Sequence, residues 1–252
     1  MSKVIALTGA SRGIGLTIAH YLLEHSHNLV VVARTAGPLH ELEEQYPGRV
    51  AVLAGNLNNV WLGQEIVDLA LERFQKLDGV IVNHGVLNPV KRIADSMVEQ
   101  WREAFDVNFF SAVSIAKAAV PVLRKSKGTI LFTSSGAAST AYPTWGAYGS
   151  AKAAVNHLAM TIASEEKDIT SIAIRPGVVD TDMQRDIREK HNTAMDPADA
   201  AKFAELKNTG GLLKPEQPGY VMAKLVLDAP KSLSGKFLTW NAEELKAYQV
   251  QG

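Results

Sequence analysis

The chain has 252 residues, room for one large domain or two small ones at about 150 residues each. Lys plus Arg total 26 and Asp plus Glu total 26, so the formal charge is zero. That argues against a nucleic-acid binder that works by phosphate neutralisation and against a polybasic membrane anchor. The chain has no cysteine, which removes a disulfide framework, a Cys-ligated metal and a cysteine nucleophile.

Met1-Ser2-Lys3 runs directly into the apolar residues Val4-Ile5-Ala6-Leu7, then Thr8-Gly9. That apolar run is too short for a signal-peptide core. No stretch approaches the roughly 20 apolar residues of a membrane span. The expectation is a soluble cytoplasmic protein with no membrane or nucleic-acid partner.

Short apolar runs, rich in Val and Ile, lie at 4–7, 29–33, 50–54, 79–82, 129–133, 171–174 and 236–239. Runs apolar at consecutive positions suit strands buried on both faces of a parallel sheet. Between them lie helical patterns at 14–25, 39–46, 61–75, 97–125 and 147–167. The fourth is long, and Pro121 is expected to bend or end it. The fifth is Ala-rich, a strong helix signal. Alternating strand and helix predicts a single α/β domain over 1–252. Its core is a Rossmann-type, doubly wound parallel sheet of about seven strands with helices on both faces. The polar stretch 183–218 is expected to leave the core, to be helical in parts and to cover the site. A plain solvated segment is the alternative.

Thr8-Gly9-Ala10-Ser11-Arg12-Gly13-Ile14-Gly15 follows the first strand and opens the first helix. A strand end, a tight turn and a helix N-terminus form an anion site from backbone N–H groups and the helix dipole. Gly9 allows the turn, Gly13 admits a pyrophosphate and Gly15 lets helix pack on strand. After the second strand an NAD-selective site places an acid on the ribose 2′-hydroxyl. Here the residue is Arg34, and Arg12 adds a second guanidinium. Two guanidiniums on one phosphate favour NADP(H). Ordinary surface charge is the alternative.

Tyr148 and Lys152 are four residues apart at the start of the Ala-rich helix, so they share a face. A free phenol has a pKa near 10, and a neighbouring cation lowers it. Tyr148 is therefore a candidate acid/base. Ser134-Ser135-Gly136 ends the fifth strand, where α/β folds place their sites.

Thr8-x-x-x-Gly13-x-Gly15, Asn83-x-Gly85, Asn108, Ser135, Tyr148-x-x-x-Lys152 and Pro176-Gly177 together resemble the short-chain dehydrogenase/reductase superfamily over essentially the whole chain. The segments 145–152, 159–161 and 178–184 look closer to a fungal subgroup. That subgroup resembles sepiapterin reductases and includes NADPH-dependent benzil reductases.

The resemblance implies roles. Tyr148 would donate a proton to the substrate carbonyl oxygen. Lys152 would lower the Tyr148 pKa and bind the nicotinamide ribose. Ser135 would hold the carbonyl, and Asn108, in the long helix, would hold a water that relays protons to Lys152. Gly9, Ser11, Arg12, Gly13, Ile14, Gly15, Arg34, Asn56, Leu57, Asn83, Gly85, Tyr148, Lys152, Pro176, Gly177, Val179 and Thr181 would contact the cofactor. Asn56 stands where the family usually has Asp, and His84 where it has Ala.

Ser135, Trp145, Tyr148 and Met183, with Val86, Leu87, Pro143 and Ile187, are expected at the substrate pocket. Such a lining suits an apolar ketone or diketone. No metal is expected, because the residues and the cofactor supply the chemistry. The small faces of two Ala-rich helices suggest a homodimer or homotetramer. The leading reading is an NADPH-dependent carbonyl reductase. Alternatives are an alcohol dehydrogenase of the same fold and a non-catalytic NADP-sensing regulator, which would normally lack Tyr or Lys.

Overall fold

A computed structural model describes residues 1–249; the last three residues of the expected domain, 250–252, lie outside the described residues. Seven strands form one parallel sheet: β1 (Val4–Thr8), β2 (Asn28–Ala33), β3 (Val50–Ala54), β4 (Gly79–Val82), β5 (Thr129–Thr133), β6 (Thr170–Arg175) and β7 (Phe237–Thr239). Their order is β3-β2-β1-β4-β5-β6-β7. Val4 pairs with Asn28 on one side of β1, and Ile5 with Gly79 on the other. The order therefore reverses between β1 and β4, which opens a crevice beyond their C-terminal ends.

The strand sequences are apolar at consecutive positions because both faces are covered. Ile5 and Leu7 point into one core with α1 (Gly13–Glu24), α2 (Gly37–Gln45) and α9 (Glu216–Asp228). Val4 and Ala6 point into the other with α3 (Leu62–Phe74), α5 (Ser111–Ser126) and α6 (Gly146–Glu165). Phe132 of β5 is fully buried in that second layer.

The expected long helix at 97–125 is interrupted. It comprises α4 (Val98–Phe105), a π-turn (Asp106–Phe110) and α5. Pro121 lies inside α5 and does not end it. The break falls instead at the π-turn, where the Ser111 N–H bonds the Asp106 carbonyl five residues back. The whole stretch Val98–Ser126 has the length and composition of a membrane span, which amends the sequence reading. A core helix passes the same test, and Ala112, Ile115, Ala116, Ala119 and Leu123 are buried in the second layer.

The segment 183–218 contains most of α7 (Asp182–Glu189), all of α8 (Pro197–Asn208) and the start of α9. Helix α8 starts on a built cap: Asp196 accepts the Ala198 N–H at 3.1 Å, and Pro197 occupies the first turn. Helix α9 was missed in sequence. Its Val221, Met222, Leu225 and Val226 are buried against the sheet beside α1.

Candidate functional site

A cleft of about 710 Å³ lies over the β1–β4 crevice. Its lining runs from Arg34 and Pro38 behind β2, past the glycine turn, to Trp145 and Phe203.

The turn is built as the glycines predict. Gly9 has φ +67°, which a side chain would strain. A Cβ on Gly15 would collide with the Gly9 carbonyl. Asn83 braces the turn from below. Its Nδ2 donates to the Gly9 carbonyl at 3.4 Å, and its Oδ1 accepts from Thr133 Oγ1 at 3.0 Å. Helix α1 begins at Gly13, so its N-terminus faces the cleft.

The two arginines differ. Arg34 is exposed on the cleft lining and makes no ion pair among the described residues. Arg12 is also exposed, but its Nη1 bonds Asp182 at 2.9 Å. The sequence reading gave both guanidiniums to one phosphate; here the first turn of α7 holds one of them.

Tyr148 and Lys152 both lie on the buried face of α6. Lys152 Nζ donates to the Thr133 carbonyl at 2.8 Å and sits 5.9 Å from the centre of the Tyr148 ring. Burial pushes the ammonium down to about 8. Burial also raises the Tyr148 phenol, an effect the neighbouring Ser135 side chain partly offsets. The net shift of the phenol is therefore upward, where the sequence led to the expectation of a lowered one. The Lys152 ammonium is held on Thr133, and desolvation of the phenolate dominates. In this state Tyr148 keeps its proton at neutral pH. Ser135 follows β5, and its Oγ accepts from the Ala137 N–H at 3.2 Å.

Asn108 lies in the π-turn, not in regular helix, and is 2% exposed. Its Oδ1 accepts from Val86 N and its Nδ2 donates to Val86 O, both at 2.9 Å. Both ends of the side chain are therefore committed to the segment after β4. The oxygen keeps a second lone pair and the nitrogen a second proton, and Asn108 Oδ1 and Lys152 Nζ both flank Gly85.

Ser11, Ile14, Asn56, Leu57, Gly85, Pro176, Gly177, Val179 and Thr181 line the cleft. Gly15 and Asn108 support it from beneath. At the far end are Val86, Leu87, Trp145, Met183 and Ile187. Pro143 is exposed and is not part of the lining.

Sequence reasoning missed Tyr142 and Phe203. Phe203 of α8 stacks on Trp145 with ring centres 5.5 Å apart and planes 16° apart. Tyr142 lies 4.9 Å from the same indole. Trp145 meets Tyr148 edge-on at 6.1 Å. Tyr142 could have been found as an aromatic three residues before Trp145. Phe203 stands in a charged segment that gives no such signal. Among the described residues, no group of three or more His, Cys, Asp or Glu could hold a metal.

A doubly wound sheet with a glycine turn at its reversal point is the architecture of dinucleotide-binding enzymes. The family model described as short chain dehydrogenase matches residues 3–192, and the chain belongs to that family of oxidoreductases. It is 42% identical over 262 aligned residues to a benzil reductase ((S)-benzoin forming) of Saccharomyces cerevisiae, covering 99% of this chain and 100% of that one. Among solved structures, a short-chain dehydrogenase/reductase of the same yeast matches with TM-score 0.96 and 38% identity, over 99% and 100% of the chains. A cytoplasmic protein of unknown function from that yeast matches with TM-score 0.83 and 38% identity, over 99% and 100%. An alcohol dehydrogenase of the archaeon Thermococcus sibiricus complexed with 5-hydroxy-NADP matches with TM-score 0.77 and 28% identity, over 95% and 96%.

Proposed function

We propose that this oxidoreductase is an NADPH-dependent carbonyl reductase acting on a small apolar ketone or α-diketone. One observation carries the reading. A buried, proton-bearing Tyr148 stands beside Ser135 in a cleft whose other end is the glycine turn and Arg34. The benzil reductase relative supports the substrate class, and the 5-hydroxy-NADP complex supports the cofactor.

The residues fit a dinucleotide. The N-terminus of α1 and the turn Gly9, Ser11, Arg12, Gly13, Ile14 would hold the pyrophosphate. Arg34 would take the 2′-phosphate, and Asn56 and Leu57 the adenine. Asn83, Gly85, Pro176, Gly177, Val179 and Thr181 would border the nicotinamide half. NADPH, when bound, supplies the hydride.

The rest is this chain's own work. Trp145, Leu87, Met183 and Ile187 form an apolar wall that orients the substrate and excludes water. Ser135 Oγ holds the carbonyl oxygen and stabilises negative charge as it develops. Tyr148 passes its phenolic proton to that oxygen. Lys152 is mostly protonated at pH 7, so its charge stabilises the phenolate left behind. Helices α7 and α8 close the substrate end through Phe203. The reading includes a cytoplasmic setting, a homodimer or homotetramer, and a small molecule rather than a nucleic acid as partner; light scattering tests the assembly.

The test follows NADPH and NADH oxidation with a panel of ketones and α-diketones. Turnover of aromatic diketones with NADPH is expected. NADPH binding with no turnover of any panel member would favour a cofactor sensor. The alcohol dehydrogenase among the structural relatives gives the oxidative direction a place in the same panel, run with alcohols and NADP.

A further inference from the structure

His84 stands between Asn83 and Gly85, and no step assigned above uses it. Its ring nitrogens reach two separate parts of the site. Nδ1 lies 2.7 Å from Thr8 Oγ1. Nε2 lies 2.7 Å from Ser111 Oγ and 3.0 Å from the Val107 carbonyl.

Only one arrangement of protons satisfies these contacts well. Thr8 Oγ1 already accepts from the Asn83 N–H at 3.0 Å, with the His84 N–H at 3.5 Å. Its own proton therefore goes to the nearer acceptor, Nδ1, rather than to the Ile81 carbonyl at 3.4 Å. Ser111 Oγ donates to the Val107 carbonyl at 2.6 Å. Nε2 must carry a proton, because a bare lone pair would face the Val107 oxygen. The ring thus accepts from Thr8 at one end and donates into the π-turn at the other.

Those two ends matter for the site. Thr8 directly precedes Gly9, the first residue of the glycine turn. Val107 directly precedes Asn108, whose amide clamps Val86. Gly85 lies between the two elements, and a Cβ there would sit 2.9 Å from Asn108 Oδ1 and 3.4 Å from Lys152 Nζ.

We propose that His84 is a positioning residue: its imidazole sets the spacing between the glycine turn and the π-turn that carries Asn108, and so the placement of the cofactor relative to Tyr148 and Lys152. An alanine, with no ring nitrogens, would leave both ends of this link unmade. The inference rests on the dinucleotide reading of the cleft.

Two substitutions separate the two ends. His84→Asn keeps a short acceptor near Nδ1 and loses the reach into the π-turn. His84→Gln keeps a donor near Nε2 and loses the bond from Thr8. NADPH Kd is measured by fluorescence, and kcat at saturating NADPH with the best substrate of the panel. The asparagine variant should keep NADPH Kd within about threefold and lose about tenfold in kcat, the equivalent of about 1.4 kcal/mol. The glutamine variant should show the reverse split. Ser111→Ala trims the π-turn end without touching His84. It must reproduce a loss of kcat with Kd unchanged, which keeps the inference testable if either His84 variant fails to fold.

Variants that lose only melting temperature, with kcat and Kd both within twofold of wild type, overturn the inference and leave His84 as a packing residue. Parallel losses of kcat and Kd in both variants overturn it too. A wild-type protein that fails to bind NADPH overturns the dinucleotide reading and this inference together, so the two failures are distinguishable.

Discussion

Lowering the pH from 7.5 to 5.0 should destabilise this protein through His84 in particular. The native imidazole is pushed down from its ordinary 6.5 to about 3, first by burial and then by the Lys152 charge. The unfolded chain therefore takes up a proton below pH 6.5 that the native chain refuses until about pH 3. A depressed native pKa gives stability that is whole above the unfolded value and lost as pH falls towards the folded one. At pH 5.0, 1.5 pH units into that window, the loss is about 2 kcal/mol at about 1.4 kcal/mol per unit. His27 is also lowered by burial, but it acts alike in wild type and variant and cancels. The assay is urea unfolding of wild type and His84→Gln at both pH values and at equal protein concentration. The variant is less stable at pH 7.5, and its further fall at pH 5.0 should be smaller than that of the wild type by about 2 kcal/mol. Equal falls, within about 0.5 kcal/mol, would refute the buried neutral imidazole.

Three further outcomes follow from the cleft. Arg34→Asp should weaken NADPH by about tenfold or more while NADH binding changes little, since one charge-assisted bond is worth roughly 1.5–3 kcal/mol; titration with both cofactors checks it. Asp182→Asn should release Arg12 and tighten NADPH, but by no more than about fivefold, because an exposed pair is worth at most about 1 kcal/mol. Phe203→Ala removes the stack on Trp145 and should raise KM for benzil by about tenfold, in line with about 0.5–1.5 kcal/mol for an aromatic pair plus lost apolar contact. NADPH Kd should stay within about twofold in that variant.

Much of this was legible because strand burial is written into sequence. The runs at 4–7 and 29–33 are apolar at every position, and each became a strand covered on both faces. Gly9 and Gly15 were legible because backbone geometry forces the residue type. Tyr148 and Lys152 were legible because a helix fixes what four residues mean.

Other features are properties of the folded chain. A π-turn leaves no mark on composition, so the sequence pattern shows Pro121 but not the break at 106–110. Helix α9 begins in a stretch that reads as polar surface, and its apolar face is a core face only because α1 lies opposite. Phe203 is a single aromatic in a charged segment, and its meaning comes from Trp145. The pairing of Arg12 with Asp182 spans 170 residues of sequence. The direction of the Tyr148 shift depends on burial, which spacing cannot supply.

The central claim is that Tyr148 gives a proton to a carbonyl reduced at the expense of NADPH. Its most direct measurement is NADPH oxidation by wild type and Tyr148→Phe with benzil as substrate, alongside NADPH Kd for both. Wild type should oxidise NADPH. The phenylalanine variant should bind NADPH within about threefold of wild type and lose a factor of about 100 to 10,000 in kcat, the usual range for a general acid. A variant that retains turnover within tenfold of wild type, or that loses cofactor binding along with it, would contradict the assignment.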